Sequence, residues 1–206
     1  MTNYKNWIWL ALFGSLWGIA EVSGGEFLYS NDIPHASIWL SAWALFLLAT
    51  ARGLINKPGS STAVGGVATL FKLANASPFF CHLLGIFILG LAFDAAATVL
   101  LKEEKRGALR RALTGIISAY GGYTLFAFLI TYVVRYEPWT AGGISKVLNH
   151  ILVGGSFAAL AGAVLVPFGY RAGLGADKAA SRQPRWAAAS AFVLIILIWT
   201  AGRFLK

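Results

Sequence analysis

The chain has little charge and almost no sulfur. Asp, Glu, Lys and Arg make up only 12% of its 206 residues, against 58% hydrophobic. A soluble domain of this length needs no such excess of apolar surface. A single cysteine, Cys81, excludes an internal disulfide and any multi-cysteine metal cluster. The three histidines, His35, His82 and His150, lie far apart, and none forms a His-x-x-x-His pair. No G-x-x-x-x-G-K-[ST] run is present, so the chain carries no phosphate-binding loop for ATP hydrolysis. Its apolar runs do not alternate with polar positions, which argues against a β-barrel. No internal repeat stands out. The paired glycines of "AVGGVATL", "AYGGYTL" and "LVGGSFAAL" read as helix packing rather than duplication.

What is present is a series of long apolar segments. They cover roughly 7–29, 37–54, 61–74, 78–101, 109–134, 144–168 and 186–204. Runs such as "WAAASAFVLIILIWTAG" are long enough as helices to cross the ~30 Å hydrocarbon layer. The expected fold class is therefore all-α, a polytopic helical membrane protein with little extramembrane mass. The third segment, "STAVGGVATLFKLA", is short and lies between the breakers "NKPGSS" and "NASP". No cleavable signal is expected, because the first segment outruns a signal h-region and lacks a small-x-small site after it.

Orientation follows the basic residues. With the amino terminus inside and all seven segments crossing, twelve Lys and Arg fall inside and five outside, the five being Lys72, Arg135, Lys146, Arg203 and Lys206. If the third segment did not cross, "KEEKRGALRR" would fall outside, and this is the reason for counting it. The amino terminus is thus expected in the cytoplasm and the carboxyl terminus outside, in a cytoplasmic (inner) membrane. The net charge of +9 belongs to cytoplasmic loops, with no nucleic-acid partner expected. The loops "GGEFLYSNDIPHAS", "LANASPFF" and "RYEPWTAGGISK" then form the chemically varied outer surface.

Small residues recur at four-residue spacing. Gly14 and Gly18, Ala11 and Ser15, and the row Gly154, Ala158 and Gly162 let helix backbones approach closely. Internal packing is the better reading for the last row. For the first segment, internal packing and contact with another subunit stand about level. Glu21 lies one to two turns from the outer end of the first segment, where an ionised carboxylate needs a cavity, a partner or water. Asp94 sits deeper in the fourth, equally suited to a structural role. Lys72, near the end of the third segment, pairs with a carboxylate or snorkels to the interface.

Cys81 and His82 open the fourth segment, and Asn149 and His150 lie in the outer half of the sixth. No ligand spacing supports a soft metal or a haem on these residues, so no metal or cofactor is expected. Aromatic residues crowd the same level, among them Tyr123 and Trp139. The default reading is an interfacial belt. Together with Glu21, Lys146, Asn149 and His150 they also have the composition of a mostly apolar pocket with a few polar anchors.

The chain resembles the substrate-binding S component of energy-coupling factor (ECF) vitamin transporters. The likeness rests on the small-residue spacing of "ALFGSLWGIAE", on the turn and short helix of "KPGSSTAVGGVATLFKL", and on the embedded acid of "GIFILGLAFDAAA". It extends over most of residues 1–170, and no diagnostic motif accompanies it. It implies a six-helix core, a ligand pocket near the outer surface, and binding to a transmembrane coupling subunit driven by two ATPases. On this chain it implies partner contact through Ala11, Gly14, Ser15 and Gly18. It implies a pocket from His82, Tyr123, Trp139, Asn149 and His150, to which the polar residues Glu21 and Lys146 are added. The chain departs from the family where serine and glycine enter an alanine-based stripe, and in having a seventh segment. The expected division is a core at 1–170, a flexible basic linker at 171–185 and an added transmembrane helix at 186–206.

Three functions are weighed. The first is a membrane subunit that captures a small vitamin-like or nucleobase-like solute from outside, with "GGEFLYSNDIP" closing over it on the hinge glycines Gly24 and Gly25. The second is a non-catalytic accessory subunit of a membrane complex, which predicts an outer cavity filled by side chains. The third is a membrane enzyme using Glu21, Asp94 and the histidines, which ranks last because no nucleophile–base signature links them. No catalytic residue is assigned.

Overall fold

A computed structural model describes residues 3–76, 79–101 and 107–204. Lys102, Lys105, Arg106 and Lys206, used above to assign orientation, lie outside the described residues, as do Ser77 and Pro78 of "NASP". Among the described residues the chain is all-helical, with no strand. Its helices are α1 (Asn3–Ile19), α2 (Gly25–Ser30), α3 (Ala36–Leu54), α4 (Ser60–Asn75), α5 (Phe80–Leu100), α6 (Ala108–Phe128), α7 (Glu137–Thr140), α8 (Gly143–Asn149), α9 (Gly155–Arg182) and α10 (Pro184–Phe204). Two π-helical turns, Ala20–Gly24 and His150–Gly154, lie inside continuous rods, and a third, Leu129–Val133, ends α6. α1 and α2 thus form one rod, and α8 continues into α9.

Six helical stretches are long and apolar enough to cross a membrane: Lys5–Ser30, Ala36–Leu54, Phe80–Leu100, Ala108–Val133, Gly143–Arg182 and Pro184–Phe204. These mark a multi-pass membrane protein. The third segment expected from the sequence is a helix, α4, but its 16 residues reach only about 24 Å at ~1.5 Å per residue. It still carries the chain from the end of the bundle where α3 finishes to the end where α5 begins. Its first turn lies beside Asp94 and its last beside Glu21.

The bundle closes on itself. α3 packs on α9, α9 on α6, α6 on α5, α5 on α4, α4 on α1, and α1 returns to α3. α3 also touches α4 and α5, and it is the most enclosed helix, with Ala44, Leu45, Leu48, Ala49 and Ala51 fully buried. α10 lies outside this ring against α1, with only Ala191 and Gly202 buried. Its remaining apolar side chains, such as Phe192, Ile196 and Leu197, point outward, as a lipid-facing helix requires.

Glycine sets the closest approach. A Cβ on Gly115 of α6 would lie 2.3 Å from the carbonyl oxygen of Gly162 of α9, so the two backbones are in contact. On α1, Cβ atoms at Gly14 and Gly18 would strike Val67 and Phe71 of α4, each at 2.5 Å. Ser15 is fully buried and accepts a hydrogen bond from Trp199 Nε1 of α10 at 2.9 Å. Its own hydroxyl donates to the carbonyl of half-buried Ala11 at 2.7 Å. Of the stripe expected to meet a partner subunit, Gly14, Ser15 and Gly18 are therefore covered by the chain's own α4 and α10, while Ala11 is half-buried.

Two further expectations are corrected. Residues 171–182 are not a flexible linker, because α9 runs unbroken to Arg182 and only Gln183 separates it from α10. "DKAASR" consists mostly of good helix formers, and Gly173 is a packing glycine, its would-be Cβ 2.1 Å from the Thr50 carbonyl oxygen. Gly24 and Gly25 are no loop hinge either. Both have helical φ, −68° and −61°, inside the first rod.

Candidate functional site

The short α4 organises the buried charge. At its start, Gly59 has φ +85°, a left-handed conformation that suits glycine. The turn presents the Gly59 amide to Asp94 Oδ2 at 2.6 Å and the Ser61 amide to Asp94 Oδ1 at 3.4 Å. Thr62 Oγ1 donates to the same carboxylate at 3.2 Å. Asp94 of α5 thus caps α4 from outside. It also pairs with Arg52 of α3 at 2.8 Å, and that guanidinium reaches Thr98 Oγ1, Ser60 Oγ and the Lys57 carbonyl. In the last turn of α4, Lys72 Nζ lies 2.9 Å from Glu21 Oε2. On α4, Asp94 at the first turn and Lys72 in the last turn each oppose the partial charge of that helix end.

The second pair opens on a cavity of about 120 Å³. Glu21 is the second residue of the π-helical turn Ala20–Gly24, and its Oε1 accepts a hydrogen bond from Trp17 Nε1 at 3.2 Å. The side chains of Lys72 and Glu21 are only 7% and 9% exposed. Around them, α3 brings Ser37, Leu40 and Ser41, and α5 brings Cys81, His82 and Ile86. α6 brings Tyr123 and Phe126, α2 brings Tyr29, and the π-helical turn after α8 brings His150.

Rings build two of the walls. Tyr29 and His82 stack with centroids 5.8 Å apart and planes 8° from parallel. Tyr123 and His150 stack at 4.5 Å and 22°. The Tyr123 hydroxyl sits 3.2 Å from Ser41 Oγ and donates to the Ser37 carbonyl at 3.4 Å. π-helical turns occur frequently at functional sites; here one carries Glu21 and another begins at His150.

Comparisons with protein-family models, with curated proteins and with solved structures give no match to this chain. The functional reading therefore rests on the site itself.

Of the seven residues expected to bind ligand, Glu21, His82, Tyr123 and His150 line this one cavity. Trp139 stands behind its wall, edge-on to His150 at 5.0 Å and to Phe126 at 5.1 Å. Lys146 does not line the cavity. Its ammonium donates to the Pro138 carbonyl at 2.7 Å and lies 5.2 Å from the Trp139 ring centroid. Asn149 is exposed and also outside the lining. Residues the sequence reading left out include Trp17, Ser37 and Ser41. The serines carried a signal, since two hydroxyls four residues apart share one face of an apolar helix. Among the described residues, no three of His, Cys, Asp and Glu converge as metal ligands would. The arrangement can hold a small molecule by stacking, by hydroxyl hydrogen bonds and by a buried ion pair.

Proposed function

We propose that this chain is a membrane subunit that captures a small solute in the cavity between α1, α3, α5 and α6. The carrying observation is the buried Glu21–Lys72 pair on the wall of an unfilled cavity. A buried ion pair used only for stability is often replaceable by apolar side chains at no loss. Polar groups inside a membrane protein more often mark a substrate path. An accessory subunit would have packed this space with side chains.

In this reading the cavity end faces the extracytoplasmic side. Supporting it, Arg110, Arg111, Arg171, Lys178, Arg182 and Arg185 belong to the opposite end of the bundle, where basic residues favour the cytoplasm. The chain carries no ATP-binding motif of its own, so transport would draw on partners, as the ECF resemblance implies. A coupling subunit would dock on a face other than Gly14, Ser15 and Gly18, which α4 and α10 cover.

The test is mass spectrometry of small molecules released from the protein purified out of its native membrane, with a pull-down from the same membrane. A released solute near one per chain is expected, together with co-purifying ATPase and coupling subunits. Release of nothing would count against capture. Capture without ATPases would remove the ECF assignment and leave the binding site.

A further inference from the structure

The cavity also restricts which ligands it accepts. Resting on the reading of this space as a solute site, we propose that its ligand is a single-ring, net-neutral planar heterocycle. The ring bears a carbonyl next to an N–H, as in a lactam or cyclic ureide, and sets that edge on Lys72 and Glu21.

Charge comes first. Among the residues lining the cavity, Glu21 and Lys72 are the only ones of Asp, Glu, Lys and Arg, and they neutralise each other at 2.9 Å. An anionic ligand would draw Lys72 from its partner and leave Glu21 buried and unpaired; a cationic one would do the reverse. Removing one member of a buried pair is strongly unfavourable. A net-neutral ligand keeps the pair intact.

Hydrogen-bonding capacity gives the edge. An ammonium has three donors and each carboxylate oxygen more than one acceptor site. Among the described contacts, Lys72 spends one donor, on Glu21, and the two carboxylate oxygens accept one hydrogen bond each, from Trp17 and Lys72. The pair therefore offers a donor and an acceptor side by side. A ring carbonyl faces the first while its neighbouring N–H faces the second.

Shape and walls give the ring. The volume is about 120 Å³, while a cavity of ~150 Å³ is known to hold benzene. That size is of the order of one ring, and it favours a monocycle over a larger ligand. The stacked pairs Tyr29–His82 and Tyr123–His150 line the cavity from separate elements, so aromatic rings flank a bound ring. Aliphatic zwitterions such as glycine match the neutrality but gain nothing from those rings.

The experiment measures binding and thermal shift on the purified full chain. The neutral probes are uracil, 2-pyridone and hydantoin; the comparators are benzoate, benzamidine and glycine. A ligand bound only by the folded state raises the melting temperature. At least one neutral probe is expected to bind at least tenfold tighter than every comparator.

Glu21→Gln alone leaves Lys72 unpaired and is open to misfolding. The double variant Glu21→Gln/Lys72→Gln removes both charges together. It is expected to melt cooperatively and to lose at least tenfold in affinity for the probe. Unchanged affinity in a cooperatively melting double variant would overturn the assigned edge. Tighter binding of benzoate, benzamidine or glycine, or release of a charged or bicyclic native solute, would overturn the ligand class and leave solute capture standing. No binding by any probe and no released molecule would sink both.

Discussion

Asp94 of α5 holds Arg52 of α3 at 2.8 Å while its carboxylate also accepts the Gly59 amide at 2.6 Å. One side chain thus ties α3, α5 and the start of α4 together inside the bundle. Asp94→Ala leaves the Arg52 guanidinium buried without its counter-charge and removes an N-terminal cap. Breaking a buried pair costs about 3–5 kcal/mol, and losing a cap about 1 kcal/mol. Thermal unfolding in detergent should show a large drop for Asp94→Ala. The double variant Arg52→Met/Asp94→Leu should be less destabilised than the single one, because no charge is then stranded. A double variant as unstable as the single would show that the charges are not coupled.

Gly115 and Gly162 test close packing of α6 on α9. An added methyl at Gly115 meets backbone, the Gly162 carbonyl oxygen at 2.3 Å, and backbone cannot swing aside as a side chain can. Gly115→Ala should destabilise by about 1–3 kcal/mol, the usual range for overpacking. Gly66 of α4 gives the contrast, since nothing lies within 4 Å of its would-be Cβ. There alanine should be neutral or stabilise by up to about 1 kcal/mol, because glycine is a poor residue inside a helix. Melting temperatures of the two variants measured side by side decide it; equal losses would contradict the packing.

The positions of the helices were largely legible, because apolar runs bounded by breakers reflect the membrane and local backbone preference. The segment expected at 61–74 is the helix Ser60–Asn75, and that at 37–54 is Ala36–Leu54. Partnerships were not legible. Glu21 and Lys72 are 51 residues apart, and nothing local to either names the other. Helix rotation was also out of reach. Asn149 and His150 are neighbours, yet about 100° of turn per residue separates them, and the π-helical turn begins between them. One is exposed and the other lines the cavity. The linker expected at 171–185 failed for a related reason. The basic segment read as a flexible linker, whereas it is helical and Gly173 packs against α3.

Trp199 joins α10 to the bundle. Its indole N–H donates to Ser15 Oγ at 2.9 Å, and its ring meets Phe71 edge-on at 4.9 Å. Neither residue it touches lines the cavity. Trp199→Ala should therefore lower stability by about 1–3 kcal/mol, less than for a fully buried core aromatic because the ring is half-buried. Ligand affinity in the folded fraction should stay within about twofold of the parent chain. Thermal unfolding and equilibrium binding on the same preparation separate the two effects; a selective loss of affinity would place α10 in the binding step.

Cys81 reports which side of the membrane the cavity faces. It is the chain's single cysteine, half-buried on the cavity wall, so the natural sequence is already a one-site probe. In the proposed orientation, which follows the distribution of Lys and Arg, this end lies outside the cytoplasm. A small, charged, membrane-impermeant methanethiosulfonate added to intact cells should therefore modify Cys81, and Cys81→Ser should abolish the labelling. A bound solute fills the space in front of the thiol and should slow the reaction in proportion to occupancy. Labelling seen only after the membrane is permeabilised would reverse the orientation and turn the cavity toward the cytoplasm. Capture from outside would then be impossible, while the fold and the Glu21–Lys72 pair would stand unchanged.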